Sequence, residues 1–78
     1  KDGLTPLQRL EKKAGRKRPE GCELCGLKGR ICFDHNHKTK NFRGWICHKC
    51  NVILGLAKDD IMLFNKIIDY LKNNGISN

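Results

Sequence analysis

Two pairs of cysteines, Cys22-Glu23-Leu24-Cys25 and Cys47-His48-Lys49-Cys50, stand 21 residues apart in this sequence. A two-residue gap lets each pair turn back on itself and offer both sulfurs to one ion. Two such pairs complete a tetrahedral four-thiolate zinc site, and a site closed in this way is structural because no position is left for water. The competing reading is two disulfides in a secreted mini-protein. A fifth cysteine and the lack of a secretory signal argue against it. That cysteine, Cys32, lies in Ile31-Cys32-Phe33 and reads as a small apolar core residue. A second cluster, Asp34-His35-Asn36-His37, falls between the two pairs. Asp34, and Asn51 directly after the last cysteine, supply hard oxygen donors of the kind Mg2+ accepts while keeping several waters. His35 supplies a base with an unperturbed pKa of about 6.5. One base, one hard cation and a basic surface suffice to hydrolyse a phosphodiester.

These groups need elements that hold them. Residues 30–34 and 42–47 read as strands and the polar run Asn36 to Asn41 as the loop between them, which makes a hairpin. Zinc would pin the start of the first strand and the end of the second, holding the tip rigid. Neighbouring strand residues point to opposite faces, so Asp34 and His35 share a site only if the strand bends there. His48 to Leu54 reads as a short helix stopped near Gly55, which brings Asn51 towards the hairpin. Residues 5–14 form a helix capped by Thr5, with Pro6 in its first turn, Gln8 completing a capping box and Gly15 at its end. Leu7, Leu10 and Ala14 mark its apolar face. A last helix, about 60–73, carries Ile61, Phe64, Ile67, Ile68 and Leu71 on one side, with Asp59 as N-cap and Gly75 beyond its end. That stripe is expected to be core, closing over the hairpin. Trp45 reads as core rather than a stacking platform for a base, and His48 as exposed.

A chain of 78 residues makes one small domain with a marginal core, for which a zinc staple is welcome. Sixteen Lys and Arg against eight Asp and Glu leave +8, a balance that favours a polyanionic partner, most simply nucleic acid. No apolar run is long enough to span a membrane, so a cytoplasmic protein is expected. The chain opens at Lys1 rather than Met, which leaves room for an upstream segment. Arg16, Lys17 and Arg18 form a basic arm that either contacts phosphates or is simply solvated. Lys38, Lys40 and Lys49 carry the same two readings, and Arg43 either holds a phosphate or lies along the strand.

The combination of Cys22-x2-Cys25, Phe33-Asp34-His35-Asn36-His37, Phe42-Arg43-Gly44, Cys47-x2-Cys50-Asn51 and Leu54-Gly55 resembles the phage recombination endonuclease VII family, one of the His-Me finger (HNH-like) nucleases. The similarity runs from about Gly21 to Leu71 and includes Lys58-Asp59-Asp60 before the last helix. The resemblance implies that Asp34 and Asn51 hold a catalytic Mg2+ or Mn2+, that His35 is the general base, and that His37 assists at the scissile phosphate. It also implies that the four paired cysteines bind structural zinc and that the products carry 5′-phosphate and 3′-hydroxyl ends. Asn36 replaces a frequent acidic residue, and Trp45 a usual aliphatic one. The junction-resolving member has a long C-terminal dimerisation region and this sequence stops at Asn78, which favours nicking or cutting of duplex DNA by a compact unit.

The expected architecture is α+β: a zinc-stapled ββα-metal domain over 21–78, preceded by a basic helix and arm over 1–20. The expected function is metal-dependent DNA endonuclease, inside the host cell if the gene is phage-borne. The alternative is a zinc-stapled DNA-binding module without catalysis, which would need neither the Asp-His pair nor Asn51.

Overall fold

Thr5 starts the chain's first helix by exchanging hydrogen bonds with Gln8. Its Oγ1 accepts from the Gln8 N–H at 3.1 Å, and Gln8 Oε1 accepts from the Thr5 N–H at 2.9 Å. This is the anticipated capping box, and it opens α1 (Pro6–Ala14). The helix ends at Gly15, whose left-handed φ of 80° lets its N–H reach the Glu11 carbonyl. The computed structural model describes residues 3–73. Gly75, anticipated just past the last helix, lies outside them.

The hairpin consists of β1 (Ile31–His35) and β2 (Phe42–Cys47), paired antiparallel. Ile31 faces Cys47, Phe33 faces Trp45 and Asp34 faces Gly44, but His35 faces Phe42. The register thus shifts between Asp34 and His35 and leaves Arg43 as an extra residue on β2. A bulge of this kind bends a strand and re-aims its side chains. It falls at the point where the adjacent Asp-His pair was expected to need a bend.

Helix α2 (His48–Leu56) follows β2 without a loop. It ends at Leu56, one residue past Gly55, near which a stop was expected. Helix α3 (Ile61–Asn73) follows a short turn. Its N-cap is not Asp59 as expected but Asp60, whose Oδ1 accepts from the Met62 and Leu63 N–H groups at 3.0 and 3.2 Å.

The core is small. Cys22, Ile31, Trp45, Ile46, Cys47 and Cys50 are buried, and Leu7, Ala14, Phe33, Phe42 and Leu54 pack around them. Trp45 is 1% exposed and meets Phe33 edge-on, at 5.7 Å between ring centroids. It is core, as expected, whereas Cys32 is only half-buried. α1 lies against β2, and α2 lies against both strands. With α1 and α2 already on the hairpin, α3 does not close over it, contrary to expectation. No residue of α3 is buried, and Ile61 and Ile68 stay 75% and 48% exposed. The radius of gyration, 15.4 Å, exceeds the roughly 11 Å of a compact chain of this length, as expected if α3 projects outward.

Candidate active site

Each cysteine pair sits where backbone N–H groups converge on sulfur. The first pair lies in a tight turn: the Cys22 N–H donates to the Leu27 carbonyl and the Gly26 N–H to the Cys22 carbonyl, both at 2.9 Å. Gly26 takes the left-handed φ of 84° that this turn requires. Cys22 Sγ then accepts from the Leu24 and Cys25 N–H groups, each at 3.3 Å. Cys47 caps α2 with its sulfur, which accepts from the Cys50 N–H at 3.5 Å. Cys22 and Cys50 sulfurs stand 3.9 Å apart, Cys25 and Cys47 sulfurs 3.7 Å, and all four lie within 4.8 Å of one another. A tetrahedral ion with bonds of about 2.3 Å spaces its sulfurs about 3.8 Å apart, so the cage has zinc dimensions.

The sulfurs also have the chemistry of a cage. Burial opposes ionisation of Cys22, but surrounding N–H donors, those of Cys25 first, outweigh it and bring the thiol down to about 6. Burial, with hydrogen bonds to the neighbouring sulfurs, pushes Cys50 up to about 12. Cys47 is likewise lowered, by the Cys50 N–H first, so readily ionised thiols stand beside one that resists ionisation; a dication at the centre removes that conflict.

The cage fixes the far end of the hairpin from Asp34 and His35. Asp34 is 4% exposed, and a buried carboxylate needs a partner. Arg43 provides it: Nε donates to Asp34 Oδ2 at 2.6 Å and Nη2 to Oδ1 at 3.2 Å. Arg43 is therefore paired with carboxylates at the strand surface, its side chain about a third exposed. Its Nη2 also reaches Asp59 Oδ1 at 3.1 Å. Asp59 Oδ2 in turn meets His37 Nδ1 at 2.7 Å. His35 is half-buried, its ring 5.1 Å from that of His37 and 6.5 Å from that of Phe33. Asp34, Arg43, Asp59 and His37 are thus joined in one chain of contacts at the bulged hairpin, and His35 stands beside His37 and Phe33. Asn51 is half-buried in the first turns of α2, on the helix that packs against β1.

The donor set suits a hard cation. A carboxylate offers about four lone-pair sites, and Arg43 uses two of those on Asp34. Asn51 adds a carboxamide oxygen, and Mg2+ commonly takes one or two protein oxygens while keeping its waters.

Two open depressions flank the tip. Asn36, His37, Lys38 and Arg43 line one, together with the turn between α2 and α3. His35 lines the other with Lys13, Lys40 and Phe42. Lys13 was not anticipated there; it joins the hairpin only because α1 folds back on β2. In the basic arm, Lys17 and Arg18 are exposed. Arg16 is committed to the fold: its guanidinium makes a fork with Glu23, at 3.0 and 2.6 Å, and covers the Phe42 ring at 4.8 Å. Glu23, Lys13 and Asp59 are the participants that reading by motif missed. The available signal for Asp59 was the pair Asp59-Asp60, since one helix start needs only one cap.

The fold and the sequence both have relatives. Over 94% of this chain, the structure matches the crystal structure of the ββα-Me type II restriction endonuclease Hpy99I with a TM-score of 0.71 and 33% identity, covering 45% of that chain. The Gene 59 protein of Mycobacterium phage L5 is 44% identical over 57 residues, and that of Mycobacterium phage D29 is 43% identical over 56. These alignments take in 67% and 65% of this chain but 35% and 34% of the relatives, so the chain spans about a third of the proteins it matches. The family model for recombination endonuclease VII matches residues 5–73. A zinc-type cage, a bulged Asp-His hairpin and a helix bearing Asn51 are thus joined in a chain that belongs to the recombination endonuclease VII family.

Proposed function

We propose that this protein is a metal-dependent DNA endonuclease with His35 as its general base. The observation that carries this reading is the register shift between Asp34 and His35 on a hairpin held by the sulfur cage. In this reading the bulge turns a carboxylate and an imidazole from adjacent positions towards one reacting centre. Family membership and the Hpy99I likeness point to the same chemistry.

His35 takes a proton from the water that attacks the scissile phosphorus. The bond from phosphorus to the 3′ oxygen breaks, leaving a 5′-phosphate, and solvent protonates the departing 3′ oxygen. His37, exposed at the tip, assists at the scissile phosphate. Asp34 and Asn51 would hold a Mg2+ or Mn2+ ion, whose chemistry would be to stabilise negative charge at the phosphate. The cysteine cage holds zinc and plays no part in bond breaking. Lys13, Lys17, Arg18, Lys38 and Lys40 supply positive charge along the DNA path. Among the described residues no helix is long and apolar enough to cross a membrane.

The deciding experiment incubates supercoiled plasmid with the zinc-loaded protein and Mg2+, and in parallel with EDTA. Nicked or linear product with Mg2+ alone is expected. DNA that is bound but uncut in both arms would overturn the nuclease reading in favour of a zinc-stapled binding module.

A further inference from the structure

The acid pair Asp59-Asp60 contains one more carboxylate than the start of α3 uses, since Asp60 alone caps that helix. Asp59 is turned the other way. One of its oxygens accepts from Arg43 Nη2 at 3.1 Å and the other meets His37 Nδ1 at 2.7 Å. The backbone accepts strain to put it there: Lys58 and Asp59 take successive left-handed φ values of 54° and 57°. Asp tolerates that region fairly well, but a lysine does not, and neither position is a glycine. Strained residues of this kind cluster at functional sites, so an observed outlier is a fair starting point for a functional inference.

The two ends of α2 are thereby fastened to opposite ends of the hairpin. The sulfur cage holds the N-terminal end, and the Asp59 carboxylate, just past the C-terminal end, holds the tip loop through His37 and the bulge through Arg43. We infer that Asp59 is a positioning residue of the nuclease site, fixing the His37 imidazole through Nδ1 so that Nε2 is the nitrogen that meets the substrate phosphate. This rests on the nuclease reading above. A carboxylate only accepts, so in the neutral ring the proton stands at Nδ1, and the contact fixes the plane of the imidazole and the direction in which Nε2 points.

Asp59→Asn gives a sharp test, because asparagine is well suited to the left-handed backbone and has nearly the same shape. Arginine is a donor only, so the carboxamide oxygen must face Arg43 and its NH2 must face His37. His37 Nδ1 then has to accept, and the proton of the neutral ring moves to Nε2.

The measurement is the imidazole 15N spectrum of the zinc-loaded chain at about pH 8, well above the ordinary histidine pKa. An Nδ1–H tautomer for His37 in the parent and an Nε2–H tautomer in Asp59→Asn are expected. Cleavage kcat should fall about 10–100-fold while KM for DNA changes little. Adding Asp59→Asn to His37→Ala should cost little further, since the two act as a unit. A His37 tautomer that ignores the substitution, or cleavage that does, overturns the role given to Asp59. A parent that never cuts overturns the nuclease reading instead, even if the tautomers behave as expected. Should Asp59→Asn fail to fold, Asp59→Gly keeps the left-handed backbone free of strain and must show the same loss of kcat.

Discussion

At the scale of single residues, His35 and Asp34 carry separate risks. His35 packs at the rim of the aromatic cluster and makes no contact with the sulfur cage, so His35→Ala should leave circular dichroism and bound zinc unchanged. Plasmid cleavage should drop by about 10²–10⁴-fold, the usual cost of losing a general base. Added imidazole should restore part of it, whereas added Mg2+ should not. Unchanged cleavage would remove His35 from the mechanism. Arg43 poses the opposite question, because it neutralises the buried Asp34. Removing one member of a buried ion pair costs about 3–5 kcal/mol. With Arg43 about a third exposed, Arg43→Ala should cost less, about 2 kcal/mol, read as a lower denaturant midpoint. A dication on Asp34 would replace the lost charge. Millimolar Mg2+ should therefore stabilise Arg43→Ala more than the parent, and equal stabilisation would argue against Asp34 as its ligand.

At the scale of elements, the zinc cage and Glu23 tie the pieces together. Cys50→Ser opens the cage at a buried corner and should abolish a cooperative melting transition, since a closed zinc site supplies on the order of 10 kcal/mol to folding. Glu23 belongs to the first cysteine turn, yet its side chain accepts from Arg16 in the arm and from the Trp45 N–H on β2. The Arg16 guanidinium first, and then the Trp45 N–H, hold its carboxyl below the usual glutamate range. Its contribution is therefore complete above the unfolded value of about 4.3 and is lost as the pH falls through the lower folded value. Glu23→Gln should lower Tm by roughly 4–8 °C at pH 7, corresponding to about 1 kcal/mol. With excess zinc, the gap from the parent should stay constant to about pH 5 and narrow only below that. A gap that widens in acid would show Glu23 to act in its protonated form.

Local signals made α1, the hairpin and the cage legible in the sequence. Thr5 and Gln8 are three residues apart, and each cysteine pair closes on itself. The links of Glu23 to Arg16 and of Asp59 to Arg43 and His37 span 7, 16 and 22 residues. No periodicity marks them, because charges can pair across any distance the fold brings together. The amphipathic pattern of α3 was equally clear, but a pattern says only that one face is apolar and not which surface meets it.

At the scale of the whole molecule, the positive charge should show itself in salt dependence. Log affinity for duplex DNA should fall against log salt with a slope of about −0.9 per phosphate neutralised. Of the three arginines and lysines at 16–18, Arg16 is engaged with Glu23 and Phe42. Replacing Lys17 and Arg18 by alanine should therefore flatten the slope by up to about two units, and adding Arg16→Ala should lower Tm without flattening it much further. A full third unit from Arg16 would show that its fork with Glu23 opens for DNA.

Trp45 is the chain's one tryptophan, and its ring lies 1% exposed against Phe33 and Phe42, with Nε1 lacking a hydrogen-bond partner among the described residues. An indole kept from water in this way emits at short wavelength, and it sits on the strand that ends in Cys47. The protein consequently carries its own optical gauge: loss of the sulfur cage should redden its fluorescence without any added dye, while events confined to the hairpin tip should leave the colour unchanged.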